Sequence, residues 1–445
     1  MTGVRILPTP SGWPRFLLPA AAAADPTDLD AAVGRGAFAA LRSAIGDSGP
    51  AGVLTALERS GLRGKAGPGP TIGAKWRACE AVPADERYVV VNAYQADPAV
   101  FTDRVLLERN PYAVIEGAAI AAFAVGASEV IVALRAEASD AIAAVEAAVT
   151  AAEKAGYLGS AVLGSAVEIR VSVRPLSGAY MLGEETVLLK GLEGRRGQPE
   201  QQPPYVTTRG LWGRPTLVHG PQTFAAVPRI LTGGGAALAQ TGTESNPGTI
   251  LVQVSGAVVR PGVLEVPIGT PIGDIVRAAG GLPAHHQLKA VLVGGPSGGI
   301  LPRKALTVGY DAESLEAAGA HVGSGSIVAI DQGACVVDLA AALTRFLADQ
   351  ACGKTIPCRI GLRRLAEIGA RICEGEPRGD EVARLDDLAS DIVESALCDH
   401  ERRATLALRS VVRYFRAELD DHLIRNTCPA GVCPMTADAP AGAVR

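Results

Sequence analysis

At 445 residues the chain is too long for one compact core, so it must divide into several domains, and its apolar content is ample to bury each of them. Forty-two basic against 46 acidic residues leave a formal net charge of -4, which gives no electrostatic reason to bind nucleic acid or an anionic membrane surface. The N-terminal stretch is interrupted by prolines and lacks an apolar core with a cleavage site, which argues against a secretory signal and for a cytoplasmic protein. The stretch 117–128 is flanked by Glu116 and Glu129 and falls short of the roughly 20 apolar residues a spanning helix needs, so no direct membrane insertion is expected.

In chain order, apolar residues at helical spacing (Ala40, Leu41, Ala44, then Val53, Leu54, Leu57) predict two lead-in helices within 29–60, with Asp47 and Ser48 as turn signals between them. Residues 61–73 form a loop rich in glycine and proline. The run 87–92 (RYVVVN) predicts a buried strand, 111–125 an apolar helix, 129–134 a second strand and 140–155 an amphipathic helix ending at Gly156. Residues 167–173 read as one more strand, and a helix opens at Gly183 with two acidic residues suited to its dipole. Strand alternating with helix implies an α/β domain.

A run rich in Gly, Ala and Thr at 232–249 marks a boundary. Beyond it, 249–254, 256–262 with Arg260-Pro261-Gly262 as a turn, and 263–266 read as a hairpin, and 272–279 as a short helix closed by Gly280 and Gly281. That pattern suggests a ubiquitin-like β-grasp module. From 338 to 423 the pattern is helical almost throughout, with glycine breaks near Gly361 and Gly379, which predicts a helical bundle; the residues after Met435 read as a disordered tail. The expected division is lead-in helices at 1–60, an α/β domain at 61–232, the β-grasp module at 247–331, the bundle at 335–425 and a cysteine-containing tail at 426–445.

Two regions carry candidate chemistry. In the loop 61–76 (GLRGKAGPGPTIGAKW), glycines let backbone N–H groups approach a phosphate and Arg63, Lys65 and Lys75 add positive charge, although Pro68 and Pro70 have no N–H to donate and a surface turn would look similar. The eight cysteines, in a chain read as cytoplasmic, point to metal ligands or core thiols rather than disulfides. Only Cys79 lies in the first three quarters of the chain; Cys335, Cys352, Cys358, Cys373, Cys398, Cys428 and Cys433 crowd the last. Cys335 and Cys373 sit in apolar contexts and read as core. Cys428 and Cys433 need further ligands to make a metal site, such as His422 or a partner chain, and a reversible disulfide reads equally well. His285-His286 reads as a solvated turn, and the GGPSGG run at 294–299 as turn chemistry.

The loop at 61–76 resembles the glycine-rich NADH- and FMN-binding loop of the flavoprotein subunit of respiratory complex I and of its relatives in NAD-linked hydrogenases and formate dehydrogenases. Asn92 with Asp97-Pro98 and Phe101-Thr102-Asp103-Arg104 resembles that family's second nucleotide segment, and Gly178-Ala179-Tyr180 with Gly183-Glu184-Glu185-Thr186 its acidic flavin segment. Glu193 to Gly197 (EGRRG), Pro203-Pro204 and the GLWGRPT run at 210–216 continue it in order, and the resemblance extends from about residue 30 to 423. It implies a Rossmann-like FMN domain, an SLBB-type β-grasp module and an iron–sulfur bundle. It further implies FMN and NAD(H) bound by Gly61, Arg63, Gly64, Lys65, Gly67, Gly69, Lys75, Asn92, Asp97, Gly183, Glu184, Glu185 and Thr223, and a [4Fe-4S] cluster on Cys352, Cys358 and Cys398. The activity implied is that of an NADH dehydrogenase-type electron-transfer oxidoreductase serving a ferredoxin-like or small iron–sulfur partner or a membrane redox complex, with no catalytic acid or base.

The chain also departs from that pattern. Pro70 replaces an aromatic of the loop, Tyr94 and Gln95 replace two carboxylates, Gln202 replaces a lysine, His219-Gly220 replaces paired asparagines, and Thr355 replaces the middle cysteine of the cluster motif. Three readings of the cysteines follow: a cubane with a non-cysteine or exogenous fourth ligand, a three-iron cluster, or packed thiols without a cluster. The alternative for the whole chain is a non-catalytic docking scaffold for a redox partner.

Overall fold

The computed structural model describes residues 3–19, 25–65, 69–234 and 238–435; Gly67 and the tail after Met435 lie outside them. Two compact units emerge. The first comprises residues up to 253 with 262–270 and 309–313, and the second comprises 254–261, 271–308 and the residues from 314 onward.

In the first unit the lead-in region is more broken than its spacing suggests: α1 (Leu29–Gly34), α2 (Ala39–Ser43), a π turn (Ala44–Ser48) and α3 (Gly49–Ser60). The break after α1 falls at Phe38, whose φ of 62° cannot continue a right-handed helix. Then come α4 (Ile72–Glu80), β1 (Tyr88–Ala93), α5 (Thr102–Arg109), α6 (Pro111–Val125), β2 (Glu129–Arg135), α7 (Ser139–Lys154), β3 (Arg170–Leu176), α8 (Glu185–Leu192), β4 (Thr216–His219) and α9 (Pro221–Arg229). The third strand begins three residues later than its apolar run, and the helix expected at Gly183 starts at Glu185 after a 3₁₀ turn, because Glu184 is its cap.

The four strands form a parallel sheet in the order β3-β2-β1-β4, with Val91 opposite Val132 on one side and opposite His219 on the other. Their near-continuous apolar runs are those of a sheet covered on both faces. Helix α6, apolar all round, is buried along almost its whole length, and Gly117 at its middle is required by close packing: a Cβ there would lie 1.9 Å from the Phe224 carbonyl oxygen of α9. Buried Glu116 beside it accepts the Leu41 N–H at 3.1 Å, tying α6 to α2. Strands β5 (Thr249–Gly256) and β6 (Gly262–Pro267) are hydrogen-bonded neighbours, as the hairpin pattern predicts, but 257–261 is a connection rather than a strand.

In the second unit, α10 (Ile272–Ala278) precedes the antiparallel strands β7 (Leu288–Val293), β8 (Gly299–Pro302) and β9 (Ser326–Asp331), ordered β9-β7-β8. The run at 294–299 is a tight turn: a Cβ on Gly298 would lie 2.1 Å from the Val293 carbonyl oxygen. The bundle consists of α11 (Val336–Asp349), α12 (Leu362–Glu374), α13 (Glu381–Glu394), α14 (Asp399–Arg403), α15 (Leu406–Tyr414) and α16 (Arg416–Leu423). Gly361 does not break it. Its φ is helical, and the chain runs through a π turn (Pro357–Gly361) into α12; the break opens at Gly375 (φ +75°) and includes Gly379 (φ +51°), where a glycine break is expected. Among the described residues no helix is long and apolar enough to cross a membrane.

Candidate active site

Strand order 3-2-1-4 reverses direction between β1 and β4, and in open parallel sheets the crevice beyond the carboxyl ends of strands at such a point is where ligands bind. Asn92 and Ala93 end β1 and His219 ends β4. The residues that converge there are drawn from four separate stretches of chain.

The described ends of the glycine-rich loop come together ahead of α4. Arg63 and Thr71 form an isolated bridge across its base, and Thr71 then caps α4 by accepting the Ala74 N–H at 3.3 Å. Gly73 lets α4 start against α3, since a Cβ there would lie 2.5 Å from the Glu58 backbone nitrogen. The loop thus delivers chain to a helix N-terminus, which favours anions. Among the described residues, no heavy atom lies within 4 Å of a Cβ added at Gly64 or Gly69, so these two positions are open. Arg63 donates to the Gly69 carbonyl at 3.1 Å while its Nε is buried without a hydrogen-bond partner.

From α4, Lys75 Nζ reaches Glu185 Oε2 at 2.9 Å and donates to the Val218 carbonyl of β4 at 3.1 Å. Glu185 is shared, because Gln202 Nε2 donates to its other oxygen at 3.3 Å. Asn92 Nδ2 donates to the Gly183 carbonyl at 2.8 Å, joining β1 to the acidic segment. Glu184 turns the other way and accepts the Thr186 and Val187 N–H groups, and burial raises its carboxyl despite these bonds. Of the paired acidic residues, one therefore caps α8 and the other faces the crevice.

The remaining expected site residues are engaged in other contacts. Lys65 points its ammonium toward the Pro247 carbonyl, 3.5 Å away, and burial pushes it down to about 7 even though Glu265 pulls it back up. Gly61 is the left-handed cap of α3 and faces Pro247; Asp97 accepts the Ala99 N–H at 3.0 Å in its own turn; Thr223 is buried in the first turn of α9.

Three of the substituted positions are tied firmly into the structure, whereas Pro70 is exposed. Tyr94 is fully buried, donates to the Gly178 carbonyl at 2.5 Å and lies under the Arg135 guanidinium. Gln95, at φ 46°, turns its amide to Thr102 Oγ1 at 2.9 Å and accepts the Arg104 N–H at 3.3 Å, so it caps α5. His219 accepts the Trp76 indole N–H at Nε2, 3.0 Å away. Indole donates only, so the His219 proton sits on Nδ1. Burial, reinforced by Lys75, pushes this imidazole well below its ordinary value and keeps it neutral. His219 is a site residue that the sequence shows only as a departure; β4, four residues long between Pro215 and Gly220, is too short a run to announce itself.

In the second unit, buried Cys358 sits in the π turn, buried Cys398 caps α14, and half-buried Cys352 precedes them. Burial is the largest cause that pushes Cys358 up to about 12 and Cys398 up to about 11, and the charges of Glu401 and Cys352 add to it in both. Thr355, at the position of the missing cysteine, donates its hydroxyl to the buried Glu401 carboxylate, whose second oxygen accepts the Leu397 N–H at 2.6 Å. Three soft thiols, with a hard oxygen donor held at Thr355, have the chemistry of an iron cluster lacking one thiolate. Glu401 is not visible as a candidate in the sequence, since only the fold brings it to Thr355.

Comparison with known proteins identifies the family. Residues 57–229 match the Nuo51 FMN-binding domain, 251–301 the SLBB domain and 338–422 the NADH-ubiquinone oxidoreductase-F iron-sulfur binding region. The chain is 37% identical over 395 residues to the F 2 chain of the NADH-quinone oxidoreductase of Rhizobium meliloti (strain 1021), covering 88% of this chain and 94% of that one. It is 38% identical over 385 residues to the HndC chain of the NADP-reducing hydrogenase of Solidesulfovibrio fructosivorans, covering 86% and 78%. Among solved structures, an NAD+-reducing [NiFe]-hydrogenase in the H2-reduced state superposes with a TM-score of 0.77 at 33% identity, covering 84% of this chain and 62% of that one. With all three family regions matched in order, the chain belongs to the family of NADH-quinone oxidoreductase F chains, FMN-binding electron-transfer proteins with an iron–sulfur region.

Proposed function

We propose that the chain is the electron-entry component of a multi-subunit cytoplasmic redox assembly, taking electrons from NADH at the β1/β4 crevice and passing them to a small iron–sulfur partner. The observation that carries this reading is the meeting of Lys75, Asn92, Gly183 and Glu185 beyond the ends of β1 and β4.

FMN, when bound, supplies the conversion of a two-electron hydride donor into single electrons. The protein's part is placement. The open faces at Gly64 and Gly69 admit a phosphate or ring edge to the backbone, and the unpartnered Arg63 Nε offers an anion a donor. Lys75, held between Glu185 and the Val218 carbonyl, fixes a positive charge at the crevice, where it favours electron-rich states of a bound group. His219 stays neutral and holds an N–H at Nδ1, fixed by Trp76 from behind. Cys352, Cys358 and Cys398 would supply three thiolates to a [4Fe-4S] cluster, and Glu401, held by Thr355, would offer the oxygen donor in place of the missing one. Exposed Ile356 and Ile360 flank Cys358 and shorten the path to a docked acceptor.

The test is an anaerobic absorption spectrum of freshly purified protein with flavin, iron and sulfide analysis, followed by NADH. Flavin bands that bleach on NADH addition are expected. Protein carrying flavin that NADH leaves oxidised would overturn the donor, and protein binding neither flavin nor iron after reconstitution would overturn the reading as a whole.

A further inference from the structure

The iron–sulfur reading uses three cysteines of the last quarter and leaves a second group unexplained. Cys335 caps the start of α11, accepting the Asp338 N–H at 3.4 Å. His422 lies on α16, fully buried, and Cys428 and Cys433 lie in the turn that follows it. Their donor atoms all fall within 4.8 Å of one another. His422 Nε2 is 3.4 Å from the Cys335 sulfur and 3.4 Å from the Cys433 sulfur, and the two sulfurs are 3.6 Å apart.

These spacings have the size of one coordination polyhedron. A tetrahedral zinc with Zn–S near 2.3 Å and Zn–N near 2.0–2.1 Å sets sulfurs about 3.8 Å apart and sulfur from nitrogen about 3.6 Å. The observed edges are within a few tenths of that. They are far too long for a disulfide, whose sulfurs lie about 2.0 Å apart. The histidine is also oriented as a ligand. Its Nδ1 is 2.8 Å from the Glu418 carbonyl and donates to it, which leaves the Nε2 lone pair facing the thiols, the arrangement that metal-bound imidazoles adopt. A hydrophobic core has no use for three thiols and an imidazole lone pair pointed at one another.

We propose that Cys335, His422, Cys428 and Cys433 bind a single tetrahedral zinc ion, separate from the iron site, that fastens the chain after α16 to the start of α11. On binding, the three thiols release their protons to solvent and the metal takes their place. Four protein ligands close the sphere, so the role is structural rather than catalytic. The bridge spans 98 residues, from Cys335 to Cys433, and clamps the first and last helices of the bundle together. A second donor group, Asp338, Cys373 and Cys433, shares Cys433 but offers three donors, one of them an exposed carboxylate, and is the poorer cage.

The experiment is metal analysis of the full-length chain purified under reducing conditions without chelators. About one zinc per chain is expected, retained on dialysis. His422→Gln and Cys433→Ser should lose the zinc while keeping iron, and Cys373→Ser and Cys352→Ser should keep it. Since a ligand variant can misfold, cobalt(II) added to the metal-free wild type gives an independent reading: tetrahedral thiolate–cobalt bands are expected. Limited proteolysis should then cut near 424–435 faster in metal-free than in zinc-loaded protein. Wild type that takes up neither zinc nor cobalt, zinc that persists in His422→Gln, or a Cys428–Cys433 disulfide in freshly purified protein would each overturn the proposal.

Discussion

Gly117→Ala isolates the packing that positions the crevice. A methyl at this position meets the Phe224 carbonyl oxygen at 1.9 Å, which is 1.5 Å short of the 3.4 Å at which ordinary contact begins (3.4 − 1.9), and the carbonyl carbon behind it at 2.6 Å. The obstacle is backbone in the middle of α9, so no side chain can rotate away and the two helices must separate. Overpacking of this kind costs typically 1–3 kcal/mol, and rigid backbone puts the site at the upper end, about 3. The gain in helix propensity from glycine to alanine offsets about 1 kcal/mol, leaving a net loss of about 2. For a unit of this size that lowers the melting temperature by roughly 4–8 °C. Because α9 begins immediately after His219 and Gly220, the same separation moves the end of β4 and should loosen flavin. Thermal melts followed by circular dichroism and by the rise of released-flavin fluorescence read both effects. Gly34→Ala, where an added Cβ has nothing within 4 Å, is the control and should not lose stability. A Gly117→Ala protein that melts with the wild type and holds flavin equally well would refute the reasoning.

Burial pushes the Glu116 carboxyl up to about 7 against the backbone N–H groups of Phe38, Leu41 and Ala40 that pull it down. Since this lies above its ordinary 4.5, the associated stability is full below pH 4.5 and is lost as pH rises through 7; wild type should lose up to about 3 kcal/mol over that window relative to Glu116→Gln, measured by denaturant melts at a series of pH values. Thr355→Cys supplies a fourth thiolate beside Cys352, Cys358 and Cys398 and should raise iron and sulfide per chain after reconstitution, whereas Glu401→Gln in the wild-type background should lower them; iron content indifferent to both changes would exclude Glu401 as a ligand. His219→Leu strands the buried Trp76 indole N–H, which costs about 1–3 kcal/mol, and should weaken FMN binding by roughly tenfold in a fluorescence-quenching titration, while His219→Gln, which keeps an acceptor, should recover most of it.

Much of the fold is legible in the sequence because its elements obey strong local rules. The buried strand at Tyr88–Ala93 and the apolar helix Pro111–Val125 follow from composition and length alone. Helix Thr102–Arg109 escapes a sequence reading, since its cap is a glutamine side chain from outside it, and a sequence window sees neither the contact nor the left-handed Gln95 that makes it. Strand Thr216–His219 escapes it for its brevity, although it sets the switch point on which the crevice depends. Cys335 is buried as its apolar context implies, yet its sulfur faces His422 across 87 residues of chain, and burial by itself says nothing of where a thiol points. The same holds for Glu401: a lone glutamate on a short helix gains meaning only from the Thr355 hydroxyl brought against it.

The pattern of replaced residues argues for a reorganised site and against one in decay. When a binding site is no longer used, its substituted positions are expected to drift toward solvent or leave unpaired polar groups behind, because nothing penalises either. Here five of the changes have acquired a specific partner, while Pro70 is exposed. Gln202 shares Glu185 with Lys75, Gln95 caps a helix, Tyr94 fills the core with its hydroxyl on the Gly178 carbonyl, His219 receives the Trp76 indole, and Thr355 binds Glu401. Three of these also change the charge: where the family pattern has a lysine and two carboxylates, this chain has three neutral groups, so one positive and two negative charges leave. Lys75, opposite Glu185, then stands as the crevice's fixed ammonium, and the tuning that a neighbouring carboxylate and lysine would share falls largely to it. A flavin held here would meet fewer opposing charges and a more positive field, which favours its reduced, anionic form, so the substitutions read as a shift in redox poise rather than as a loss of function.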